Sequence, residues 1–249
     1  MKRTALIIGA ALALLLAAIE PALAEGVTFD FGDGGSLTSR VIQLTALIAV
    51  LALAPSILVM VTSFVRIVVV LSLLRTAIGV QQSPPNAVIV SLALFLTAFV
   101  MGPTFDQTYQ AGIAPLMADE IEMDEAFARG SQPVENFMLA HVREDDLKLF
   151  VDLSGEPVPA TPDATPLRVL VPAFMISELR RAFEIGFLVF LPFLIIDMVV
   201  ASVLMSLGMM MLPPIIVSLP FKLVFFVLVD GWRLVTGSLV QSYAASGGP

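Results

Sequence analysis

The chain contains no cysteine, so disulfides, thiol catalysis and cysteine-held metals are excluded. It has one histidine, His141, with no second candidate ligand near it in sequence, and it reads as a surface helix residue rather than a metal ligand. Charge is scarce: 14% of residues are charged, against about 25% in soluble domains. The balance is acidic, with a formal net charge of −8, which excludes the basic face that nucleic acid requires. There is no glycine-rich phosphate loop, no His-Glu-x-x-His and no serine elbow, so neither an enzyme nor a cofactor or metal site is read from the chain. The adjacent carboxylates Asp145 and Asp146 cannot share one helix face and read as a solvated charge cluster.

Apolar residues fill the space that charge leaves. They make up 58% of the 249 residues, against about 45–50% in soluble proteins, and the mean hydropathy is +0.96. The chain therefore reads as a membrane protein. Lys2 and Arg3 precede an apolar run from Thr4 to Ile19, and Ala22-Leu23-Ala24 gives a small-residue cleavage pattern. The run is short for a membrane span, so residues 1–24 read as a cleavable signal, with an uncleaved first helix as the other possibility.

A flexible polar lead, 25–40, comes next. Residues 41–102 form an N-terminal membrane hairpin: one apolar run is interrupted by Pro55 and Arg66 and closed by Arg75 and a proline-rich turn, and the other runs from Ala87 to Met101. Residues 103–168 hold 13 acidic and 4 basic residues and read as an acidic extracytoplasmic domain and linker, with a helix over 134–151 started by Pro133. A C-terminal membrane hairpin, 169–249, opens with the charged stretch SELRRAFE. There Arg180 can meet Glu184, and Glu178 can meet Arg181. The fold class is an all-α membrane protein of two helical hairpins with a smaller helical domain between them. Arg75 fits an inner loop of that layout.

The second hairpin turns at LGMMMLPP, residues 207–214. Gly208 loosens the helix, while Pro213 and Pro214 remove backbone donors and force a turn. Asp197 lies 13 residues before Met210 and Lys222 lies 12 after it, so both sit roughly 18–20 Å from the tip. An antiparallel pair then brings opposite charges to one depth, which predicts an Asp197–Lys222 ion pair within the hairpin or between neighbouring copies; snorkelling of Lys222 is the plainer alternative. Met209, Met210 and Met211, extended by Met205 one turn back, read as core filler or as a deformable seal.

Four stretches carry a resemblance: MVTSFVRIVVVLSLLRTAIGVQQSPPN (60–86), LALFLTAFVMGP (92–103), PLRVLVPAFMISELRRAFEIGFLVFLPFLIIDMVVASVLMSLGMMMLPP (166–214) and LPFKLVFFVLVDGW (219–232). On these the chain resembles the FliP family, export-gate membrane proteins of the flagellar type III secretion apparatus, whose virulence-system relatives are called SctR. One departure is Arg180-Arg181, where the family pattern has a single basic residue followed by a small polar one.

The resemblance implies a subunit of a pentamer-based helical ring in the bacterial inner membrane, at the flagellar basal body, with a periplasmic domain. It implies assembly with FliQ-, FliR- and FlhB-type subunits, an FlhA-type export protein nearby, and a central conduit for unfolded export substrates. It also implies that Met209, Met210 and Met211 form the gasket of the closed conduit. The alternatives are an ion or solute transporter using Asp197 and Lys222, a scaffold whose methionines only pack, or the equivalent subunit of a virulence system.

Overall fold

A computed structural model of the chain describes residues 37–80, 82–155, 161, 164–209 and 211–244. The expected signal and most of the polar lead lie outside these residues, as do Gln81 and Met210. Among the described residues the structure is all-helical. Two units are distinguished, one up to Leu51 and one from Ala52 onward.

Helix α1, Leu37–Met60, begins inside the segment read as a flexible lead, and it runs through Pro55, which the sequence reading took as an interruption. None of its residues from Val41 to Met60 is buried. The second unit contains α2 (Phe64–Ile78), α3 (Asn86–Thr108), α4 (Met123–His141), α5 (Glu144–Ser154), α6 (Leu167–Ser206), α7 (Pro214–Leu228) and α8 (Gly231–Ala244). α3 continues through a π-helical turn, Tyr109–Ile113, into a last short turn, Ala114–Met117.

Among the described residues three helices are long and apolar enough to cross a membrane: Val41–Met60, Asn86–Met117 and Leu167–Ser206. The bent pair α7 and α8, at 62°, makes a fourth if counted as one span. At 1.5 Å per residue, the 40 residues of α6 extend about 60 Å. That is about twice the hydrocarbon thickness of a bilayer.

The core is built on α2 and α6, which run parallel. Arg66 meets Glu178, Leu73 lies against Gly186, and Leu74, Ala77 and Ile78 cluster with Phe193. Around this pair, Ile67, Val70 and Leu71 pack with Ile89 and Ala93 of α3 and with Leu239 and Tyr243 of α8. α7 lies antiparallel to α6, with Phe226 against Phe193 and Lys222 against Asp197.

The acidic segment differs from the reading in detail. The single helix expected over 134–151 is two: α4 contains Pro133 in its interior and ends at His141, and α5 starts at Glu144. Met138 of α4 packs with Leu170 and Phe174 near the start of α6, which ties this segment to the membrane helices.

Candidate functional site

The turn between α6 and α7 is closed by backbone features at both of its ends, and its described methionines are exposed. At the end of α6 the Gly208 N–H donates to the Met205 carbonyl at 3.1 Å, and the Met209 N–H donates to the Leu204 carbonyl at 3.0 Å. This is a Schellman closure, which needs a left-handed residue. Gly208 supplies it with a φ of +73°. Pro213 then sits extended before α7, and Pro214 takes its first turn, where the missing N–H costs nothing. Met205 and Met209 are exposed, and Met211 is 98% exposed. Met210 lies outside the described residues.

Behind the tip, three helices converge on two charges. Lys222 on α7 donates to Asp197 on α6 at 2.7 Å, within one chain. It also donates to the Ala77 carbonyl at 3.3 Å, near the C-terminal end of α2. The Ser218 hydroxyl donates to the other Asp197 oxygen at 2.5 Å. Lys222 is buried, so its ammonium is held by protein groups rather than by water at an interface.

A second polar cluster was not foreseen. Arg66 and Glu178, 1% and 0% exposed, form a bidentate pair. Arg66 Nε donates to Glu178 Oε2 at 2.9 Å, and Nη2 contacts Oε1. Arg66 Nη1 donates to Ser242 Oγ at 3.1 Å, and the guanidinium lies 3.8 Å over the Tyr243 ring. The Tyr243 hydroxyl donates to Glu178 Oε2 at 2.6 Å, and it lies 3.3 Å from the Ser63 carbonyl. The C-terminal helix is thereby bonded to α2 and α6.

Several charge readings change accordingly. Glu178, Arg180, Arg181 and Glu184 do not start a helix, because α6 begins eleven residues earlier, at Leu167. Arg180 Nε does lie 3.4 Å from Glu184 Oε1, and Arg143 of the acidic segment joins the same carboxylate at 3.1 Å. The bidentate partner of Glu178 is Arg66, a residue 112 positions away, which the i,i+3 reading of Arg181 did not anticipate. Arg75 holds the α2–α3 turn, donating to the Pro84 carbonyl at 3.3 Å and to Asn86 Oδ1.

His141 is buried, not on the surface: its Nδ1–H donates to the Phe137 carbonyl at 2.7 Å, and its ring lies beside Phe137 and Tyr243. Burial pushes its pKa below the ordinary 6.5. Asp146 is not solvated either, since it accepts from the Ser177 hydroxyl at 2.7 Å. Among the described residues no group of three or more His, Cys, Asp or Glu side chains is placed to hold a metal.

The model of the FliP family matches residues 47–239, most of the chain and every helix of the core. The chain belongs to the FliP family. It is 63% identical over 251 aligned positions to the flagellar biosynthetic protein FliP of Caulobacter vibrioides, covering 100% of this chain and 94% of that one. The protein of the same name from Bacillus subtilis is 52% identical, covering 86% of this chain and 97% of that one. That of Aquifex aeolicus is 49% identical, with 87% and 91% covered. This FliP-family chain is accordingly a membrane-helical component of the flagellar protein-export apparatus. The matched region contains Arg66, Glu178, Asp197, Lys222 and the methionine tip.

Proposed function

We propose that the chain is a core subunit of the flagellar export gate, and that Met209, Met210 and Met211 form a deformable seal across its conduit. One observation carries the reading: the side chains of Met209 and Met211 are exposed between the Gly208 closure of α6 and the two prolines that start α7. A core filler would be covered by its own fold. An exposed, unbranched thioether can instead change rotamer to fit a passing chain and then close again by apolar contact. Apolar constrictions also block ions by dewetting.

In this reading the subunit takes its place in a pentamer-based ring with FliQ-, FliR- and FlhB-type subunits, near an FlhA-type protein, in the bacterial inner membrane. The acidic segment, residues 103–168, is its periplasmic domain. The length of α6, about 60 Å, supports a ring that extends beyond the hydrocarbon layer. Export substrates pass unfolded along the axis. A transporter role for Asp197 and Lys222 has less support, because Ser218 and the Ala77 carbonyl already engage the pair.

The test replaces Met209–Met211 with alanine in cells carrying the complete apparatus and measures ion leakage and flagellar export together. The seal reading expects leakage to rise while assembly persists. Unchanged leakage and unchanged export overturn it.

A further inference from the structure

The acidic segment carries an apolar groove that neither the methionine tip nor the polar clusters use. It lies between the π-helical end of α3 and the first half of α4. The two backbones approach so closely there that a Cβ on Gly112 would fall 2.5 Å from the Ala126 carbonyl oxygen and 2.9 Å from Gly130 Cα. Only glycine permits that crossing. The π-helical turn at Tyr109–Ile113 resets the face that the end of α3 presents, and such turns are found mostly where a function needs them.

The groove holds about 310 Å³. Ile113 and Leu116 line one wall, and Met123 and Phe127, one helical turn apart, line the other. Met123 and Phe127 are 68% and 72% exposed, and Met117 at the rim is 74% exposed. These are large apolar side chains on the most polar segment of the protein, where single exposed residues are ordinary but a grooved cluster is not. Thr108 also lines the groove, and its hydroxyl oxygen is buried without a hydrogen-bond partner.

The charge around the groove narrows the occupant. Asp119, Glu120, Glu122, Asp124 and Glu125 are all exposed and lie between Met117 and Phe127 in sequence. No lysine or arginine occurs between Arg75 and Arg129, and Arg129 is engaged with Glu125. The turn that carries the first acids is built rather than loose: the Asp119 and Glu120 N–H groups donate to the Leu116 and Pro115 carbonyls at 3.1 and 3.0 Å. An acidic rim of this kind is repelled by anionic lipid headgroups.

We infer that the groove between the end of α3 and the start of α4 is a docking site for a basic amphipathic helix of another protein, apolar face inward and lysine or arginine flanks on the acidic rim. Helix-in-groove recognition uses apolar anchors at i, i+3 or i+4 spacing, and the paired walls of this groove match that pattern. The acidic rim supplies orientation and on-rate.

The full chain in phosphatidylcholine nanodiscs tests this with two labelled synthetic helices, one of leucine and lysine and one of leucine and glutamate, read by fluorescence anisotropy against empty nanodiscs. The leucine–lysine helix is expected to bind, more weakly as salt rises. Binding is expected to fall about tenfold or more in each of two variants, Met123→Ser with Phe127→Ser, and Glu122→Lys with Asp124→Lys. All four side chains are exposed, so unchanged Trp232 unfolding in each variant verifies the fold.

Equal binding of both helices, no binding of either, or full binding by the Met123→Ser, Phe127→Ser variant each overturns the inference. In cells, a photo-crosslinker at position 123 should join a basic, amphipathic segment of a different protein. A product with lipid, with a second copy of this chain or with an acidic segment overturns it.

Discussion

Replacing Glu178 with leucine is expected to be among the most damaging single changes available in the core. It leaves the Arg66 guanidinium, 1% exposed, without its counter-charge. Breaking a buried pair from one side costs about 3–5 kcal/mol. The Tyr243 hydroxyl also loses its short acceptor, at a cost of about 1 kcal/mol because the longer contact to the Ser63 carbonyl remains. Removing both charges, Arg66→Met with Glu178→Leu, takes the stranded cation away. Exchange of a whole buried pair for apolar groups is often neutral or stabilising by about 1–4 kcal/mol. The double variant is therefore expected to be more stable than Glu178→Leu alone by at least about 2 kcal/mol, a strongly non-additive cycle. Trp232 is the only tryptophan and packs edge-on against Phe226 at 5.4 Å, so its fluorescence reports unfolding of the purified chain as dodecyl sulfate displaces a mild detergent. A loss below about 1 kcal/mol for Glu178→Leu, the value of an exposed pair, would refute the reasoning. Losses that simply add in the double variant would do so too.

At the other polar cluster, Asp197→Lys is expected to abolish complex assembly by setting two ammonium groups against each other, and adding Lys222→Asp should restore part of it. Co-purification of partner subunits reads the result, and a double swap that restores nothing counts against direct pairing. His141 makes stability depend on pH with a fixed sign. Its folded pKa is depressed by burial, so the stabilising neutral form is fully present above the unfolded value of 6.5 and is lost progressively as pH falls below it. Unfolding midpoints measured from pH 8 down to pH 5 should drop for the parent chain and flatten in His141→Gln; parallel curves for the two would sink the assignment.

The end of α6 and the start of α7 were legible in sequence because glycine and proline act locally. Gly208, Pro213 and Pro214 do their work within a few residues of where they stand. The prolines at 55 and 133 misled for the same reason turned around. Each sits inside a helix, α1 or α4, and the chain breaks instead at 61–63 and 142–143. A proline removes one donor, and a long helix tolerates the loss where its freed carbonyl finds another partner. Arg66 and Glu178 were missed as partners because 112 residues separate them. A signal was nevertheless present: Leu170, Phe174, Glu178, Ala182 and Gly186 recur every four residues, so Glu178 stands on the buried apolar stripe of α6. A carboxylate on such a stripe requires a partner. His141 was misplaced because its cover comes from Tyr243, about a hundred residues on, and nothing near it in sequence announces that contact.

The two polar clusters stand at opposite ends of the same helix. Arg66 opens α2 against Glu178, and the Ala77 carbonyl closes it against Lys222, which also holds Asp197. Sliding α2 by one turn would move both contacts by about 5.4 Å at once. Such a slip would strand Arg66 and Glu178 and take the Ala77 carbonyl from Lys222, whereas the leucines and valines between them would lose little by exchanging neighbours. Buried ion pairs are poor sources of net stability and good ones of register, and α6 carries one member of each pair, Glu178 and Asp197. The outward faces are built the opposite way: Phe183, Phe187, Leu188, Ile195 and Met198 of α6 are exposed and apolar. Charge placed inside fixes the subunit's own geometry. Apolar surface left outside then allows helices of neighbouring chains or lipid to cover it without requiring any polar match, so the register of the tip does not depend on who the neighbours are.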